Sequence, residues 1–252
     1  MNRSIDRLTA PEVRAILDRS GIAVLSFGSI EQHGAHLPCG TDTMAADLVA
    51  ADLAERLDAL VVPGGPYGVT PIHAGHPGTI SLRRRVFEEY VANICEELAS
   101  MGASVLVLVN WHEGNIASLD AVATDLQDRQ GIVVVAAQAC CTAQRIYAER
   151  GGGLTHGGAI ETMAVMAVDP VLVRWDSVSG ANRPDGAEAL DAMRRSREVY
   201  GYITDVSELA SDGWYGDPAW ATPQLAAGFA AEVGAALEKA VRDVLAVRGA
   251  TR

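Results

Sequence analysis

Carboxylate and imidazole side chains are concentrated in one short segment of the chain. Residues 28–42 read GSIEQHGAHLPCGTD and include four side chains of metal-ligand type, Glu31, His33, His36 and Asp42. Their oxygen and nitrogen atoms suit Zn²⁺, Mn²⁺ or Fe²⁺, and no thiolate spacing typical of a structural zinc site accompanies them. A polar turn would have a similar composition, so this segment alone is compatible with either a metal site or a turn.

Two further clusters of the same type lie later in the chain. Residues 110–115 read NWHEGN and hold His112, and residues 155–162 read THGGAIET and hold His156 and Glu161. The three clusters together contain four of the six histidines. Chance is a poor explanation for such grouping, so the three segments together favour a shared metal site.

Apolar runs precede the first two clusters and predict where these clusters lie. Residues 22–27 (IAVLSF) and 104–109 (SVLVLV) are short apolar runs typical of strands that are buried on both faces. Open α/β sheets bind ligands outside the carboxyl ends of their strands. The first two clusters therefore lie where ligand sites usually form, and in extended backbone Glu31 and His33 would point to the same side.

The rest of the chain alternates between helix-like and strand-like stretches. A further helix is expected to begin near Glu161. This alternation implies a mainly parallel sheet with helices on both faces, so we predict one α/β domain over residues 1–252 with a three-layer α/β/α fold. The other predicted helices cover residues 43–57, 86–101, 115–129 and 224–247, and the other strands cover residues 60–62 and 132–137.

The residues of the three clusters resemble the creatininase superfamily. Members of this family carry a two-metal centre that hydrolyses amide-type C–N bonds. The resemblance therefore implies an amidohydrolase with two divalent ions per chain, for which zinc is the first expectation and manganese and iron are the alternatives. The matching positions are residues 28–34, 42, 110, 112, 115, 156–158 and 161–162, and weaker matches at 76–82, 216–218 and 221–222 extend the resemblance over most of the chain.

The resemblance also assigns the metal ligands, position by position. It implies that Glu31 and His112 bind one ion, that His33 and Glu161 bind the other, and that Asp42 bridges the two. Two ions about 3.5–4 Å apart need such a bridging carboxylate, and they can hold a hydroxide between them as the nucleophile.

Further residues are expected to contact the substrate or to move protons. The resemblance assigns proton transfer to His156, a role that suits imidazole because it titrates near neutral pH. Substrate contacts are predicted for Ser81, His76 and Glu113, although a charge exposed on a loop would also explain Glu113. His73 is expected to line the pocket together with His76, and neither is expected to bind metal.

The chain departs from creatininase itself at several positions. Where that enzyme has an acidic residue two positions after the histidine of its second motif, this chain has Gly114, with Glu113 one position earlier. The small residues Ala139 and Gly152 stand where creatininase has tryptophans that enclose creatinine. Creatinine is therefore not the expected substrate. The expected substrates are another small cyclic amide, a formamide or a short peptide.

Composition restricts the classes of function further. A formal charge of −12, from 32 acidic and 20 basic residues, repels polyphosphates and argues against nucleic-acid binding. The first residues lack the apolar core of a signal peptide, and no run reaches the length of a membrane span. Four cysteines without CxxC spacing indicate a reducing compartment. We therefore expect a soluble, cytoplasmic protein without membrane or nucleic-acid partners.

Two functions of different classes remain open at this point. The first is a dinuclear metal-dependent amidohydrolase, and the second is a non-catalytic member of the same fold that binds a metal or a small molecule. All five inferred ligand positions are filled, which favours the enzyme. The resemblance also implies a homo-oligomer, a hexamer, in which the polar segment 182–215 could supply contacts.

Overall fold

A four-stranded parallel sheet organises the computed structural model, which describes residues 3–150, 155–180, 183–196 and 198–250. The strands are β1 (Ile22–Phe27), β2 (Leu60–Pro63), β3 (Val105–Asn110) and β4 (Val133–Gln138). They pair in the order β2-β1-β3-β4, and every pair is parallel. The strand order therefore reverses direction at the β1–β3 pair, which is the point where open parallel sheets usually bind ligands.

Helices cover both faces of this sheet. The side chains of β1 alternate between two cores, one on each face of the sheet: Val24 belongs to one core, while Ala23 and Leu25 belong to the other. The predicted single-domain three-layer α/β/α fold is therefore confirmed. The helices are α1 (Ala10–Ser20), α2 (Thr41–Leu57), α3 (Arg84–Ser100), α4 (Ile116–Gln130), α5 (Ala139–Tyr147), α6 (Ala159–Val168), α7 (Ala187–Ser196) and α8 (Pro223–Val247).

Helix α2 begins two residues earlier than the apolar pattern predicts. Its first residue is Thr41, whose hydroxyl donates to the carbonyl of Pro38, 2.7 Å away. This start places Asp42 in the first turn, where the positive end of the helix dipole stabilises a carboxylate. The start of α6 has the same effect on Glu161, which also lies in a first turn.

The segment that carries Glu31 and His33 is a loop and not a continuation of β1. The strand ends at Phe27, and Ile30 forms an isolated antiparallel bridge with Ile80. Glu31 and His33 therefore lie outside any regular strand. The chain turns instead at Gly34, whose φ of 73° is readily adopted only by a residue without a Cβ atom.

A smaller structural unit lies beside the main layers. Helix α7 and the chain that follows it enclose a third apolar cluster, formed by Ile203, Leu209, Ala210 and Tyr215. Leu190 of α7 packs against this cluster. Most of the polar segment 182–215 is therefore anchored to the body of the protein, while Asn182 itself lies outside the described residues.

No helix within the described ranges is both long and apolar enough to cross a membrane.

Candidate metal centre

The carboxyl ends of β1 and β3 bring the predicted ligands together. Glu31 and His33 follow β1, and His112 follows β3, its direct neighbour in the sheet. Asp42 and Glu161 reach the same place from the first turns of α2 and α6. Three of these side chains are less than 4% exposed, namely those of Glu31, His33 and Asp42.

Asp42 presents one carboxylate oxygen to each of two histidines. Its Oδ1 lies 3.2 Å from His33 Nε2, and its Oδ2 lies 3.0 Å from His112 Nδ1. Glu161 Oε1 lies 3.6 Å from the same nitrogen of His33, while Glu31 Oε2 lies 3.3 Å from the same nitrogen of His112. The side chains therefore form two ligand groups that share Asp42: one of Glu31, Asp42 and His112, the other of His33, Asp42 and Glu161.

Hydrogen bonds to backbone carbonyl groups orient the histidine rings. His33 Nδ1 lies 3.1 Å from the carbonyl oxygen of Glu31, and His112 Nε2 lies 3.0 Å from that of Val69. A carbonyl oxygen can only accept, so each of these nitrogens carries the proton in the neutral ring. The other nitrogen of each ring then turns a lone pair towards the carboxylates. This arrangement is typical of histidines that bind metal.

The ring of His156 also has one nitrogen hydrogen-bonded to a backbone carbonyl and the other turned towards a carboxylate, but this ring lies at the edge of the cluster. Its Nε2 lies 2.7 Å from the carbonyl oxygen of Gln32, and its Nδ1 lies 3.7 Å from Glu31 Oε1. Its ring is 4.3 Å from the ring of His33, centroid to centroid. Glu31, His33 and His156 form a third group close enough to hold an ion, so geometry alone permits either a proton-transfer role or a ligand role for His156.

The donor atoms of this cluster fit divalent metal ions. Glu31 Oε2 and His33 Nε2 are buried and have no hydrogen-bond partner among the described residues. Buried polar atoms are nearly always paired, so unpaired ones at the meeting point of three carboxylates and two imidazoles indicate a ligand. The mixture of nitrogen and oxygen donors suits zinc, manganese or iron better than calcium.

The carboxylates and imidazoles also shift one another's pKa values. Burial disfavours a charged ring at His112, but the neighbouring Glu31 and Asp42 raise its pKa to about 9. Burial acts likewise on His33, yet Asp42 and Glu161 raise its pKa well above the ordinary value. Burial and the positive charge of His33 lower the pKa of His156 well below the ordinary value. Metal binding at neutral pH must therefore displace protons from the first two rings.

Asn115 connects the loops that carry the ligands. Its Oδ1 accepts a hydrogen bond of 2.9 Å from the backbone N–H of Val69, and its Nδ2 donates to the carbonyl of Gly28 at 2.9 Å. Nδ2 also lies 3.2 Å from Asn110 Oδ1. Val69 in turn accepts the hydrogen bond that orients His112. A single amide thus joins the loop after β1 to the loop that orients a ligand.

Replacing Asn115 by alanine is expected to lower the free energy of unfolding by about 2–4 kcal/mol. The change leaves the N–H of Val69 and the carbonyl of Gly28 buried and unpaired, and each unpaired group costs about 1–3 kcal/mol. Urea unfolding measures the loss. The matched control is Asn93→Ala on α3, where an exposed side chain donates to Glu89, and we expect a change within about 0.5 kcal/mol. Equal effects of the two substitutions would contradict the role of Asn115.

A cavity of about 700 Å³ opens directly onto the candidate centre. Its wall includes His156 and Glu113. Arg194 donates a hydrogen bond to each carboxylate oxygen of Glu113, at 2.9 and 3.2 Å, so Glu113 is not simply a charge exposed on a loop. Four of the predicted ligands reach the cavity, and His33 lies beneath them, fully buried. The four are Glu31, Asp42, His112 and Glu161.

Two predicted substrate contacts do not line the cavity. Ser81 accepts a hydrogen bond from the backbone N–H of Thr70 and donates to the carbonyl of Leu82, so it fixes the loop. His76 lies 4.0 Å from Asp205, away from the cavity wall. Neither side chain lines this cavity, so the substrate contacts predicted at these two positions stay predictions.

The cavity wall includes His73, as the sequence predicts, and His73 contacts Gln32, which the motifs do not single out as a site residue. His73 Nε2 lies 3.7 Å from Glu31 Oε1, and burial and His112 lower the pKa of His73 to about 3. Gln32 contacts two rings: its amide nitrogen lies 3.1 Å from His73 Nδ1, to which it can donate, and its backbone carbonyl accepts from His156 Nε2 at 2.7 Å. The position of Gln32 between two predicted ligands in the first motif is the sequence feature that could have identified it as a site residue.

Aromatic side chains reach the cavity from positions other than those of creatininase. Ala139 is fully buried at the start of α5 and does not line the cavity, and Gly152 lies outside the described residues. Gly114 leaves no room for a side chain, since a Cβ atom there would collide with the carbonyl of Val69 and the ring of His112. The aromatic residues on the wall are Trp111, Tyr200, Tyr202 and Tyr215.

Comparison with known proteins agrees with the geometry of this site. The family model described as creatininase, creatinine amidohydrolase, matches residues 6–241. The chain is 33% identical over 207 residues to the mycofactocin precursor peptide peptidase of Mycolicibacterium smegmatis, a match that covers 80% of this chain and 76% of that protein. It is 32% identical over 176 residues to the creatinine amidohydrolase of Pseudomonas putida, which covers 62% and 68% of the two chains.

A solved structure gives the same result for the fold. The structure named Creatininase Mn superposes with a TM-score of 0.75 at 25% identity, covering 96% of this chain and 98% of that one. The family model, the relatives and the shared fold all span most of the described residues. The chain therefore belongs to the creatininase family.

Proposed function

We propose that the protein is a dinuclear metal-dependent amidohydrolase that cleaves a C–N amide bond in a small cyclic amide, a formamide or a short peptide. The observation that carries this proposal is the position of Asp42, whose two oxygens face two different histidines in two separate ligand groups. A single ion would need only one of these groups. A carboxylate shared by two groups is the arrangement that a two-metal centre requires.

Each predicted side chain has a role in this centre. Glu31 and His112 would hold one ion, His33 and Glu161 would hold the other, and Asp42 would serve both. Zinc is the first candidate, with manganese and iron as alternatives. When bound, such ions lower the pKa of water to about 7 in favourable cases and stabilise negative charge on the carbonyl oxygen under attack.

His156 is proposed to transfer the proton. Its low pKa leaves the ring neutral, and its hydrogen bond to the carbonyl of Gln32 leaves the lone pair of Nδ1 available on the side of Glu31. A neutral ring in that position can accept a proton from the attacking water and then deliver it to the departing nitrogen. The backbone carbonyl of Gln32 and the ring of His73, 4.3 Å away between centroids, hold the ring in this orientation.

The size of the cavity and the names of the relatives suggest which amides to test. One relative is named as a peptide peptidase and another as a creatinine amidohydrolase, so the family includes enzymes named for a peptide and for a cyclic amide. A volume of about 700 Å³ is well within the range of sites for drug-sized ligands and admits substrates larger than creatinine.

A substrate panel tests the proposed reaction. Protein loaded with zinc or manganese is expected to hydrolyse at least one member of a set of lactams, formamides and short peptides, and protein treated with a chelator is expected to hydrolyse none. Creatinine is expected to be a poor substrate, because Ala139 and the glycine at position 152 provide no aromatic surface for its ring. Hydrolysis that persists after complete metal removal would contradict the proposed mechanism. Stable metal binding without any hydrolysis would favour a non-catalytic, ligand-binding protein.

We also propose a homo-oligomer, specifically a hexamer, in the cytoplasm. The oligomer follows from the family resemblance, and light scattering in solution tests its size; a monomer at micromolar concentration would contradict it. A reducing compartment is supported by the cysteines, none of which forms a disulfide bond, including the adjacent Cys140 and Cys141 with sulfurs 3.9 Å apart.

A further inference from the structure

A network of arginines and carboxylates forms one wall of the cavity beside the candidate metal centre. Arg194 binds Glu113 with two hydrogen bonds, and both Arg194 Nη2 and Arg195 Nε donate to Asp191 Oδ1 at 3.0 and 2.9 Å. Arg195 Nη2 donates to the hydroxyl of Tyr215 at 2.9 Å, and that hydroxyl donates to Asp191 Oδ2 at 3.0 Å. The network fixes α7 against the loop that follows β3.

The network contains more positive than negative charge. Arg183 joins it, with Nη2 3.9 Å from Asp191 and its guanidinium 4.4 Å from the centre of the Tyr215 ring. Among the described residues, three guanidinium groups therefore face two carboxylates, those of Asp191 and Glu113. Arginine keeps its proton at all physiological pH values, so one positive charge remains unbalanced.

The other arginine on the cavity wall is balanced. Arg84 donates to the hydroxyl of Ser118 at 3.1 Å, and this hydroxyl donates to the carboxylate of Glu88 at 2.9 Å. Arg84 and Glu88 are thus linked through one hydroxyl group, and their opposite charges balance each other. The unbalanced charge at α7 is also opposite in sign to the net charge of the chain, which is −12. An anion is the ligand class that such a local excess attracts.

Three guanidinium nitrogens of the network lack a hydrogen bond among the described residues, and one of them, Arg183 Nη2, lies off the cavity wall. Arg194 Nε and Arg195 Nη1 are buried without a partner in the part of the chain that the structure describes, and Arg195 Nη1 is 3.8 Å from the nearer oxygen of Glu113. Glu113 already occupies the two terminal nitrogens of Arg194. Arg195, whose side chain is 20% exposed and lines the cavity, is thus the better placed donor after a small rotation of its guanidinium.

We propose that this network binds a carboxylate of the substrate, with Arg195 as the main donor. The preferred substrate is then an amide that also carries a free carboxylate, such as an N-acylated amino acid or a short peptide with a free acid end, and not a neutral cyclic amide. This inference rests on the proposed amide hydrolysis at the same cavity. The planar guanidinium matches a carboxylate in two parallel hydrogen bonds, which gives both selectivity and orientation.

A binding experiment on the metal-loaded wild-type protein tests the carboxylate site without turnover. Calorimetry compares 3-phenylpropanoate with 3-phenylpropanamide, two probes of similar shape that differ in charge. We expect the carboxylate to bind about tenfold more tightly or better, the size of one charge-assisted hydrogen bond. Equal binding of the two probes would overturn the proposal, whether or not any variant of the network folds.

Substitutions separate the arginine from the metal ions as the binding partner. Arg195→Gln is expected to abolish the preference for the carboxylate, whereas Arg84→Gln, which removes a balanced charge from the same wall, is expected to keep it. A preference that survives Arg195→Gln would place the carboxylate on the metal ions and would overturn the proposal. Circular dichroism of each variant establishes that the fold is retained.

A matched pair of substrates distinguishes this inference from the proposed reaction. The ratio of kcat/KM for N-formyl-L-phenylalanine to that for N-formyl-L-phenylalaninamide is expected to fall about tenfold or more in Arg195→Gln. Selective carboxylate binding without hydrolysis of either compound would refute their hydrolysis and leave the carboxylate site standing. Hydrolysis of both with an unchanged ratio would refute the carboxylate site and leave the reaction standing.

Discussion

Replacing Asp42 by asparagine is expected to remove at least one metal ion and most of the hydrolytic activity. Asparagine keeps the volume of the side chain but can present only one oxygen, so it cannot serve both His33 and His112 as Asp42 does. Two-metal catalysis supplies several kcal/mol of transition-state stabilisation, so we expect a loss of about 10³-fold or more in kcat/KM. Metal analysis of the same sample is expected to show that at least one ion is lost.

The control for this substitution lies five residues further along the same helix. Asp47 accepts a hydrogen bond of 2.5 Å from Ser26 and does not line the cavity. Asp47→Asn is therefore expected to keep the full metal content and nearly all of the activity. If Asp42→Asn also stayed active and kept two ions, Asp42 would not be the bridge and the assignment of the centre would be wrong.

Replacing His156 by alanine is expected to give the opposite combination, with metals retained and turnover lost. We expect kcat to fall about 10²–10⁴-fold, the usual contribution of a positioned acid or base. The remaining ligands still form both groups that share Asp42, so the metal content is expected to stay near that of the wild type. Metal analysis and steady-state kinetics on one preparation measure both quantities.

The short distance between His156 and the carboxylate of Glu31 makes this experiment decisive. Its Nδ1 lies 3.7 Å from Glu31, close enough for it to belong to a ligand group with Glu31 and His33. Loss of an ion in His156→Ala would therefore make it a ligand and refute its role in proton transfer. His76→Ala is the control, because His76 lies near Asp205 and off the cavity wall, and it is expected to retain wild-type kcat.

Most of the layered fold could be predicted from the sequence because its strands are uniformly apolar. The strand 22–27 was predicted with the residues that the structure gives, and the boundaries of β3 and β4 differ by only one residue. Such strands are buried on both faces, so their residue types indicate their position directly. The four helices whose bounds were predicted agree to within two residues at each end, since their apolar faces must meet the sheet, whereas α1, α5 and α7 were not predicted.

The site was harder to predict in detail because loops position its side chains. The sequence motifs identified the ligand types, but Glu31 and His33 lie in the loop between β1 and α2 and not in a regular strand, so strand alternation alone does not fix where their side chains point. Ser81 and His76 belong to a matched motif, yet the loop uses Ser81 for its own hydrogen bonds. Motif membership indicates which segments approach the site, whereas backbone geometry decides which side chains enter it.

The arginine network could not be predicted from the sequence for a different reason. Arg194 and Arg195 lie in a polar, charged stretch whose composition indicates a surface excursion or an interface. Their contacts with Glu113 and Tyr215 join residues far apart in sequence, for example 81 positions in the case of Arg194 and Glu113. Only the packing of α7 on its small apolar cluster brings these side chains to the cavity wall.

The metal content of the wild-type protein tests the central claim most directly. Protein purified without chelator, and then supplied with zinc or manganese and desalted, is analysed for metal by mass spectrometry against its chain concentration. The two ligand groups that share Asp42 predict a plateau close to two ions per chain. A plateau at one ion, or full hydrolytic activity in folded protein that holds none, would contradict the dinuclear centre.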